Sequence, residues 1–213
     1  MNDEDQMAAK LSGLAAESGA ATLGTGHLER LRARLASTAQ DEGILDVAYR
    51  SVDTPVGTLL LAATERGLVR VAYPGEGHDT VLQDLSDRIS PRVLRAPARL
   101  DPVARQLDDY FADGRHAFDL PLDLRLSSGF RQTVLETLPR IEYGHTASYG
   151  AVAALAGSPR AARAVGTACA TNPLPIVIPC HRVVLANGAI GDYLAGPDIK
   201  RTLLTLEGTR RTA

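Results

Sequence analysis

An apolar segment enclosed by prolines, Leu174-Pro175-Ile176-Val177-Ile178, ends at Pro179 and is followed at once by Cys180-His181-Arg182. Proline fixes its own φ and removes a backbone donor, so a buried strand here must end and the chain must bend. The bend matters because adjacent residues on a straight strand point to opposite faces. Only a bend can bring Cys180 and His181 into one site.

Cys180 is one of only two cysteines in the chain. Cationic or basic neighbours lower the pKa of a thiol from about 8.5, so we expect His181 and Arg182 to favour the thiolate. The thiolate is the nucleophilic form of cysteine. A free cysteine at the end of an apolar segment is more often a core residue. The tripeptide alone therefore leaves both interpretations open.

Composition excludes several classes of protein. The 213 residues suit one or two domains with a real core. Two cysteines, and an acidic start in place of a basic and apolar leader, favour the cytoplasm. The sequence contains no run of about 18 apolar residues, so it predicts no membrane span. Two cysteines and five scattered histidines argue against a structural zinc site, and we expect no metal and no cofactor.

Charge is divided unevenly along the chain. Residues 128–213 carry nine Lys and Arg against five Asp and Glu, a net charge of +4, which leaves −6 for residues 1–127. Such a division points to an anionic partner for the C-terminal half. Chance variation of the surface would explain a difference of this size equally well.

The N-terminal half predicts an extension, residues 1–43, followed by an α+β scaffold domain, residues 44–126, with a small antiparallel sheet. Leu28, Leu31 and Leu35 predict a short amphipathic helix over 27–36, and we expect the first two dozen residues to be disordered. Asp101 before Pro102 is typical of a helix N-cap. The predicted strands are 46–53, 58–64, 68–73 and an edge strand within 116–124; the predicted helices are 79–89 and 102–112.

The C-terminal half, residues 127–213, predicts helices over 130–140, 149–156 and 160–170. Ser148 caps the second of these helices, and Ser158-Pro159 begins the third. Two short helices with a three-residue break resemble a helix-turn-helix. The last helix combines small residues with Arg160 and Arg163, which favours a nucleic-acid groove. A packed, alanine-rich core helix is the alternative, although an unpaired arginine is costly to bury.

Residues 130 to 208 resemble the C-terminal domain of the O6-alkylguanine-DNA alkyltransferases, the methylated-DNA–protein-cysteine methyltransferases. The resemblance implies a mostly α, winged helix-turn-helix-like domain. The N-terminal half is similar, more loosely, to the ribonuclease-H-like domain of that family through Thr54-Pro55-Val56-Gly57. The matching strings are Ser148-Tyr149-Gly150, Ala153-Ala154-Leu155-Ala156-Gly157, Ala161-Ala162-Arg163-Ala164-Val165-Gly166, the segment from Asn172 to Val184, Gly191-Asp192-Tyr193, and Lys200 with Leu203-Leu204, Leu206-Glu207-Gly208.

The resemblance implies DNA repair by irreversible, single-turnover transfer of the alkyl group of O6-alkylguanine to Cys180, with O4-alkylthymine as a further candidate substrate. It implies a monomer that binds double-stranded DNA through the minor groove and flips the damaged base out of the stack. His181 would act as a base through a water, Glu207 would orient His181, Tyr149 would donate a proton, and Asn172 would brace the turn. Arg163 would enter the base stack. The other DNA contacts would be Tyr149, Ser158, Arg160 and Arg182. The base pocket would be formed by Val183, Tyr193 and Leu194.

Two departures from the family pattern lie at the pocket. Ala195 stands where many relatives have glycine, and Leu194 where some have serine. A larger pocket lip would alter the tolerance for bulky alkyl groups. Two other functions stay open at this point: a non-catalytic binder of alkylated DNA, against which Cys180 argues, and a DNA-binding regulator.

Overall fold

The computed structural model describes residues 25–208, and its N-terminal part is built on a four-stranded sheet. Strands β1 (Val47–Thr54), β2 (Gly57–Thr64) and β3 (Gly67–Ala72) form the predicted antiparallel meander. A fourth strand, β4 (Val93–Arg95), pairs in parallel with β1, so the order is β3-β2-β1-β4. The prediction of a wholly antiparallel sheet is therefore wrong, because the chain returns to the β1 edge through a helix.

The predicted edge strand within 116–124 is also wrong. The backbone of this segment pairs with the sheet around Leu122, which forms an isolated bridge with Leu68 and no continuous strand. Pro121 has no N–H to donate to a ladder. Its carbonyl instead accepts from the N–H of Leu68 at 2.9 Å.

Both faces of the sheet are covered, which explains the uninterrupted apolar run in β2. One face packs on helix α2 (His78–Arg88) through Val81 and Leu85. The other face packs on helix α3 (Asp101–Phe111) and on the C-terminal part of the chain. Helix α3 begins one residue earlier than predicted, with Leu100 in the cap position, because a 3-10 turn over Pro97–Leu100 runs directly into it.

Helix α1 (Thr25–Asp41) precedes the sheet and extends beyond the predicted residues 27–36 at both ends. Its leucines Leu28, Leu31 and Leu35 face solvent. The contact with the sheet domain is made instead by Ala36 and Ala39, which pack against Leu45, Ala48 and Ala96. The predicted disorder concerns the first two dozen residues, which lie outside the described residues.

The C-terminal part is mostly helical, as expected. Its helices are α4 (Gly129–Thr137), α5 (Tyr149–Leu155), α6 (Ala162–Ala170) and α7 (Pro197–Leu206), and α4 continues into a 3-10 turn over Leu138–Arg140. Ser148 is confirmed as the cap of α5, since its side chain accepts from the N–H of Ala151 at 3.1 Å.

The connection between α5 and α6 is six residues long, 156–161, and not three. The N–H groups of Gly157 and Ser158 bond to the carbonyls of Ala154 and Ala153 at 3.0 and 2.8 Å. This arrangement closes a helix at its C-terminus. Ser158 therefore ends α5 and does not begin α6, and Arg160 lies in the connection instead of sharing a helix face with Arg163.

Two short parallel strands, β5 (Ala147–Ser148) and β6 (Val183–Val184), hold the start of α5 beside the residues that follow Cys180. The sheet domain contacts the same region, because the N–H of Val71 in β3 bonds to the carbonyl of Pro173 at 2.8 Å. One apolar cluster runs through both parts of the chain. Both domains therefore support the loop that leads to Cys180.

Candidate active site

The apolar segment before Cys180 forms a buried loop and not the expected strand. The N–H of Ile178 closes the loop by bonding to the carbonyl of Leu174 at 2.8 Å. Ile176 has a φ of 73°, a costly conformation for a β-branched residue. Pro173 and Pro175 lack the N–H groups that a strand would use. The predicted bend is present, because Cys180–Arg182 forms a 3-10 turn.

Asn172 ties both ends of this loop to the thiol. Its Nδ2 donates to the carbonyl of Ile178 at 2.9 Å and lies 3.1 Å from Sγ of Cys180. Its Oδ1 accepts from the N–H of Leu174 at 2.9 Å. A single buried amide thus provides the contacts that a brace for this turn requires.

The thiol of Cys180 is 1% exposed. Burial raises its pKa to about 11, although hydrogen bonds from Asn172 and Tyr193 and the charge of Lys200 act in the opposite direction. The expectation that His181 and Arg182 favour the thiolate is wrong, because both side chains point to Glu207. The resting thiol is therefore protonated at neutral pH and needs a base.

Glu207 caps the C-terminus of α7 and is almost completely buried. Its Oε1 lies 2.7 Å from Nε2 of His181 and 3.0 Å from Nη2 of Arg182, and its Oε2 lies 2.9 Å from Nε of Arg182. Burial alone would raise the pKa of Glu207, but the hydrogen bonds from His181 and Arg182 lower it to about 2. Glu207 is therefore an ionised acceptor at neutral pH.

The partner of His181 determines its tautomer. Burial lowers the pKa of His181, so the imidazole is neutral at neutral pH. Because an ionised carboxylate can only accept, Nε2 carries the proton and Nδ1 carries the lone pair. Within residues 25–208, Nδ1 has no hydrogen-bond partner. His181 thus presents an unused proton acceptor in a buried site next to Cys180.

Arg182 was expected to contact DNA, and this prediction is wrong. The residue is 6% exposed, pairs with Glu207, and donates from Nη1 to the carbonyl of Ile141 at 2.6 Å. A buried carboxylate needs such a cation. The Arg182 guanidinium is therefore buried and paired inside the protein, away from a surface that could contact DNA.

A cavity of about 580 Å³ opens beside Cys180. Its walls are largely apolar, and several of its lining residues are small. Tyr193 and Leu194, which were predicted to form the base pocket, both line this cavity, and the hydroxyl of Tyr193 lies 3.0 Å from that of Tyr73. The lining residues are Tyr149, Ala162, Arg163, Gly166, Cys169, Ala170, Cys180, Leu185, Gly191, Asp192, Tyr193 and Leu194.

Val183 is not among these lining residues. Its side chain is fully buried in the shared core, so its assignment to the pocket is wrong. Cys169, interpreted from the sequence as a core residue, packs in that core and also lines the cavity.

The other four residues predicted to contact DNA separate into two groups. Arg163 is exposed at the start of α6 and lines the cavity mouth together with Tyr149, and its guanidinium makes no ion pair with any residue in the described range. Arg160 and Ser158 lie in the connection before α6, outside the cavity lining.

Two buried residues of the site received no role from the sequence. Lys200 is fully buried on α7, and its Nζ donates to the carbonyls of Val183 and Asp192 at 2.6 and 3.2 Å. Its spacing from Leu203 and Leu204 places it on the apolar face of α7, and this spacing was the signal in the sequence that could have indicated its burial. Tyr110 on α3 donates to Glu207, and nothing in its local sequence pointed to that contact.

The described residues contain no group of three or more His, Cys, Asp or Glu side chains placed to hold a metal ion. None of the helices in residues 25–208 has the length and apolar character of a membrane span.

Comparison with known proteins gives matches over both parts of the chain. A family model for the 6-O-methylguanine DNA methyltransferase DNA binding domain matches residues 129–209, and one for the ribonuclease-like domain of the same proteins matches residues 47–124. A methylated-DNA–protein-cysteine methyltransferase of Mycolicibacterium paratuberculosis is 40% identical over 161 residues, which cover 76% of this chain and 92% of that protein. The human protein of that name is 38% identical over 167 residues, 75% of this chain and 80% of the relative.

A solved structure agrees with these matches. The crystal structure of Mycobacterium tuberculosis OGT in complex with DNA has a TM-score of 0.65 and 38% identity, and the likeness covers 76% of this chain and 93% of that chain. With both domain models matched and most of each relative covered, the chain belongs to the methylated-DNA–protein-cysteine methyltransferase family.

Proposed function

We propose that this protein repairs DNA by transferring the alkyl group of O6-alkylguanine directly and irreversibly to Cys180. The observation that carries the proposal is the buried thiol at the wall of an apolar cavity, next to a neutral imidazole that is bound to an ionised glutamate. A non-catalytic binder would not need the acceptor thiol. The relatives reported above are named as methyltransferases.

The reaction breaks the bond between O6 and the alkyl carbon and forms a bond between that carbon and Sγ. Nδ1 of His181 takes the thiol proton through a water, because the raised pKa of Cys180 leaves the thiol protonated. Tyr149 donates its phenolic proton toward the guanine ring nitrogen, so the base leaves neutral. The thioether does not leave again, which limits the protein to one turnover.

Four further residues support this step. Glu207 holds His181 in the tautomer whose Nδ1 can accept a proton, which is the role of the third member of a catalytic triad. Asn172 braces the turn and donates to Sγ. Tyr193 and Leu194 bound the pocket for the flipped base.

The target atom lies inside a duplex, so the nucleotide must leave the stack. Arg163, exposed at the cavity mouth, would fill the gap from the minor groove, while Tyr149 crowds the neighbouring phosphate. Ser158 and Arg160 would contact the backbone, where basic residues neutralise phosphates. The net charge of +4 over residues 128–213 supports an anionic partner for this half.

The finer fold labels belong to the same proposal. We assign residues 44–126 to a ribonuclease-H-like domain and residues 127–213 to a winged helix-turn-helix-like domain, after an extension over 1–43. The parallel pair β5 and β6 beside α5 and α6 supports the second label. A monomeric state and a cytoplasmic location stay predictions.

Mass spectrometry tests the transfer. After incubation with duplex DNA that contains O6-methylguanine, the tryptic peptide bearing Cys180 should gain one methyl group. The Cys169→Ala variant, which lacks the other thiol of the cavity, should be methylated equally, and Cys180→Ala should not. An unmodified Cys180 peptide, or methyl transfer to Cys169, would refute the assignment.

Kinetics test the role of Arg163. Arg163→Ala should slow repair of duplex DNA far more than transfer from free O6-benzylguanine, because the free base needs no flipping. Arg160→Ala is the matched control and should weaken duplex binding without slowing transfer at saturating DNA. Equal losses on both substrates for Arg163→Ala would count against insertion into the stack.

A further inference from the structure

A phenol from the N-terminal sheet domain reaches the centre of the candidate site. The hydroxyl of Tyr110 on α3 donates to Oε1 of Glu207 at 2.8 Å, although the two residues are 97 positions apart. Tyr110 is fully buried, and Glu207 is 3% exposed. The direction of the bond is settled, because an ionised carboxylate only accepts.

The hydrogen bond from Tyr110 falls on the oxygen that also binds His181. Oε1 receives Nε2–H of His181, one N–H of Arg182 and the phenol hydroxyl, whereas Oε2 receives a single N–H of Arg182. The phenol and the imidazole therefore share the same negative charge. Without the phenol hydroxyl, His181 and Arg182 would be the remaining donors to Oε1 and would share its negative charge.

Aromatic packing fixes the ring of Tyr110 independently of its hydroxyl. The ring centroids of Phe111, Phe118 and Tyr143 lie 5.2, 5.4 and 6.2 Å from that of Tyr110. Phenylalanine at position 110 would keep these contacts. A loss of function in Tyr110→Phe can thus be traced to the hydrogen bond.

We propose that Tyr110 is a positioning residue for alkyl transfer, whose hydroxyl orients Glu207 and limits the negative charge that Glu207 presents to His181. The inference rests on the proposed role of His181 as the base. It also gives the sheet domain, interpreted from its sequence as a scaffold, a group within the reacting network.

The sign of the effect follows from the charges around His181. The groups that act on its titration are Glu207, Arg182 and Lys200, and Cys180 is its neighbour in sequence. Without the phenol donor, Glu207 stabilises the protonated imidazole more strongly. A protonated His181 cannot accept the thiol proton, so transfer should fail at a higher pH than in the native protein.

The test is the rate of methyl transfer from duplex O6-methylguanine between about pH 5 and 9. We expect Tyr110→Phe to react about tenfold more slowly near pH 6.5, the scale of one lost hydrogen bond to a charged group. Its acid limb should also move to higher pH. Tyr143→Phe is the matched control from the same aromatic cluster, because the Tyr143 hydroxyl donates to Asp113 at 2.8 Å and lies 3.3 Å from the carbonyl of Leu206. That variant keeps the hydrogen bond from Tyr110 to Glu207 and should follow the native profile.

Two further measurements separate the inference from the proposed function. His181→Gln should abolish the acid limb, and a limb that persists would remove His181 as the base. If the limb disappears in His181→Gln while Tyr110→Phe matches the native profile, only the role of Tyr110 fails. Nitrogen NMR of labelled histidine should show Nε2 protonated in the native protein and a changed Nε2–H resonance in Tyr110→Phe but not in Tyr143→Phe. An unchanged resonance in Tyr110→Phe would overturn the inference.

Discussion

Replacing Glu207 by glutamine removes one negative charge from a buried site and keeps the shape of the side chain. Glutamine approximates a permanently protonated glutamate, so the pKa of Glu207 supplies the expected cost. A fall from the ordinary value of 4.5 to about 2 corresponds to roughly 3 kcal/mol of folding stability at neutral pH. This agrees with the cost of about 3–5 kcal/mol for breaking a buried ion pair, here the one with Arg182.

The same substitution should impair alkyl transfer. An amide presents a donor as well as an acceptor, so it no longer forces the proton of His181 onto Nε2. By analogy with triads whose carboxylate is replaced by an amide, we expect the single-turnover rate to fall roughly 10⁴-fold.

Urea unfolding at pH 7 would measure the loss of stability, and a quenched single-turnover reaction with duplex O6-methylguanine would measure the loss of transfer rate. Glu136→Gln, an exposed charge loss in the same domain, should stay within about 0.5 kcal/mol of the native protein. The stability contributed by Glu207 should be complete above pH 4.5 and lost as the pH falls toward 2, because the folded pKa is the lower one. A Glu207→Gln protein of native stability and native rate would refute the reasoning.

Three other predictions concern further buried residues of the site. The pKa of the Cys180 thiol is about 9 in the unfolded chain and about 11 in the folded chain, so the free energy of unfolding should fall by about 2–3 kcal/mol as the pH rises over that range. Urea unfolding should show a smaller fall in Cys180→Ala. Asn172→Ala leaves the carbonyl of Ile178 and the N–H of Leu174 unpaired, and it should cost about 2–4 kcal/mol in urea unfolding; a cost below about 0.5 kcal/mol would contradict the bracing geometry. Lys200→Met removes the hydrogen bonds to the carbonyls of Val183 and Asp192, so amide hydrogen exchange across residues 185–191 should accelerate by roughly tenfold while exchange in the N-terminal sheet is unaffected. Exchange rates in residues 185–191 equal to those of the native protein would show that Lys200 does not hold this loop.

Predictions that depended on neighbouring residues were the most accurate. The β1–β3 meander, the Ser148 cap and the bend at Pro179 all follow from backbone rules that act over a few positions. Strand β4 escaped prediction because three residues carry too little pattern. The start of α6 was misplaced because Ser158 can cap a helix or help to end one, and only the preceding turn of α5 decides which.

Predictions about charge and contact in the site were less accurate. Arg182 was predicted to contact DNA, but it is the buried partner of Glu207. Val183 follows the Cys180 turn closely in sequence, yet its side chain points into the core. No local pattern distinguishes these alternatives, because each depends on which distant element covers the residue.

The sequence by itself determined the chemical groups of the site, their order along the chain and the family that they indicate, because motif spacing and turn chemistry are local properties. Tertiary structure alone decided the charge states and the partners. Glu207 meets His181 across 26 positions and Tyr110 across 97, and burial sets the protonation of Cys180 against the expectation from its neighbours. Desolvation and hydrogen bonding depend on distance in space, and that distance exists only once the two domains have packed around the thiol.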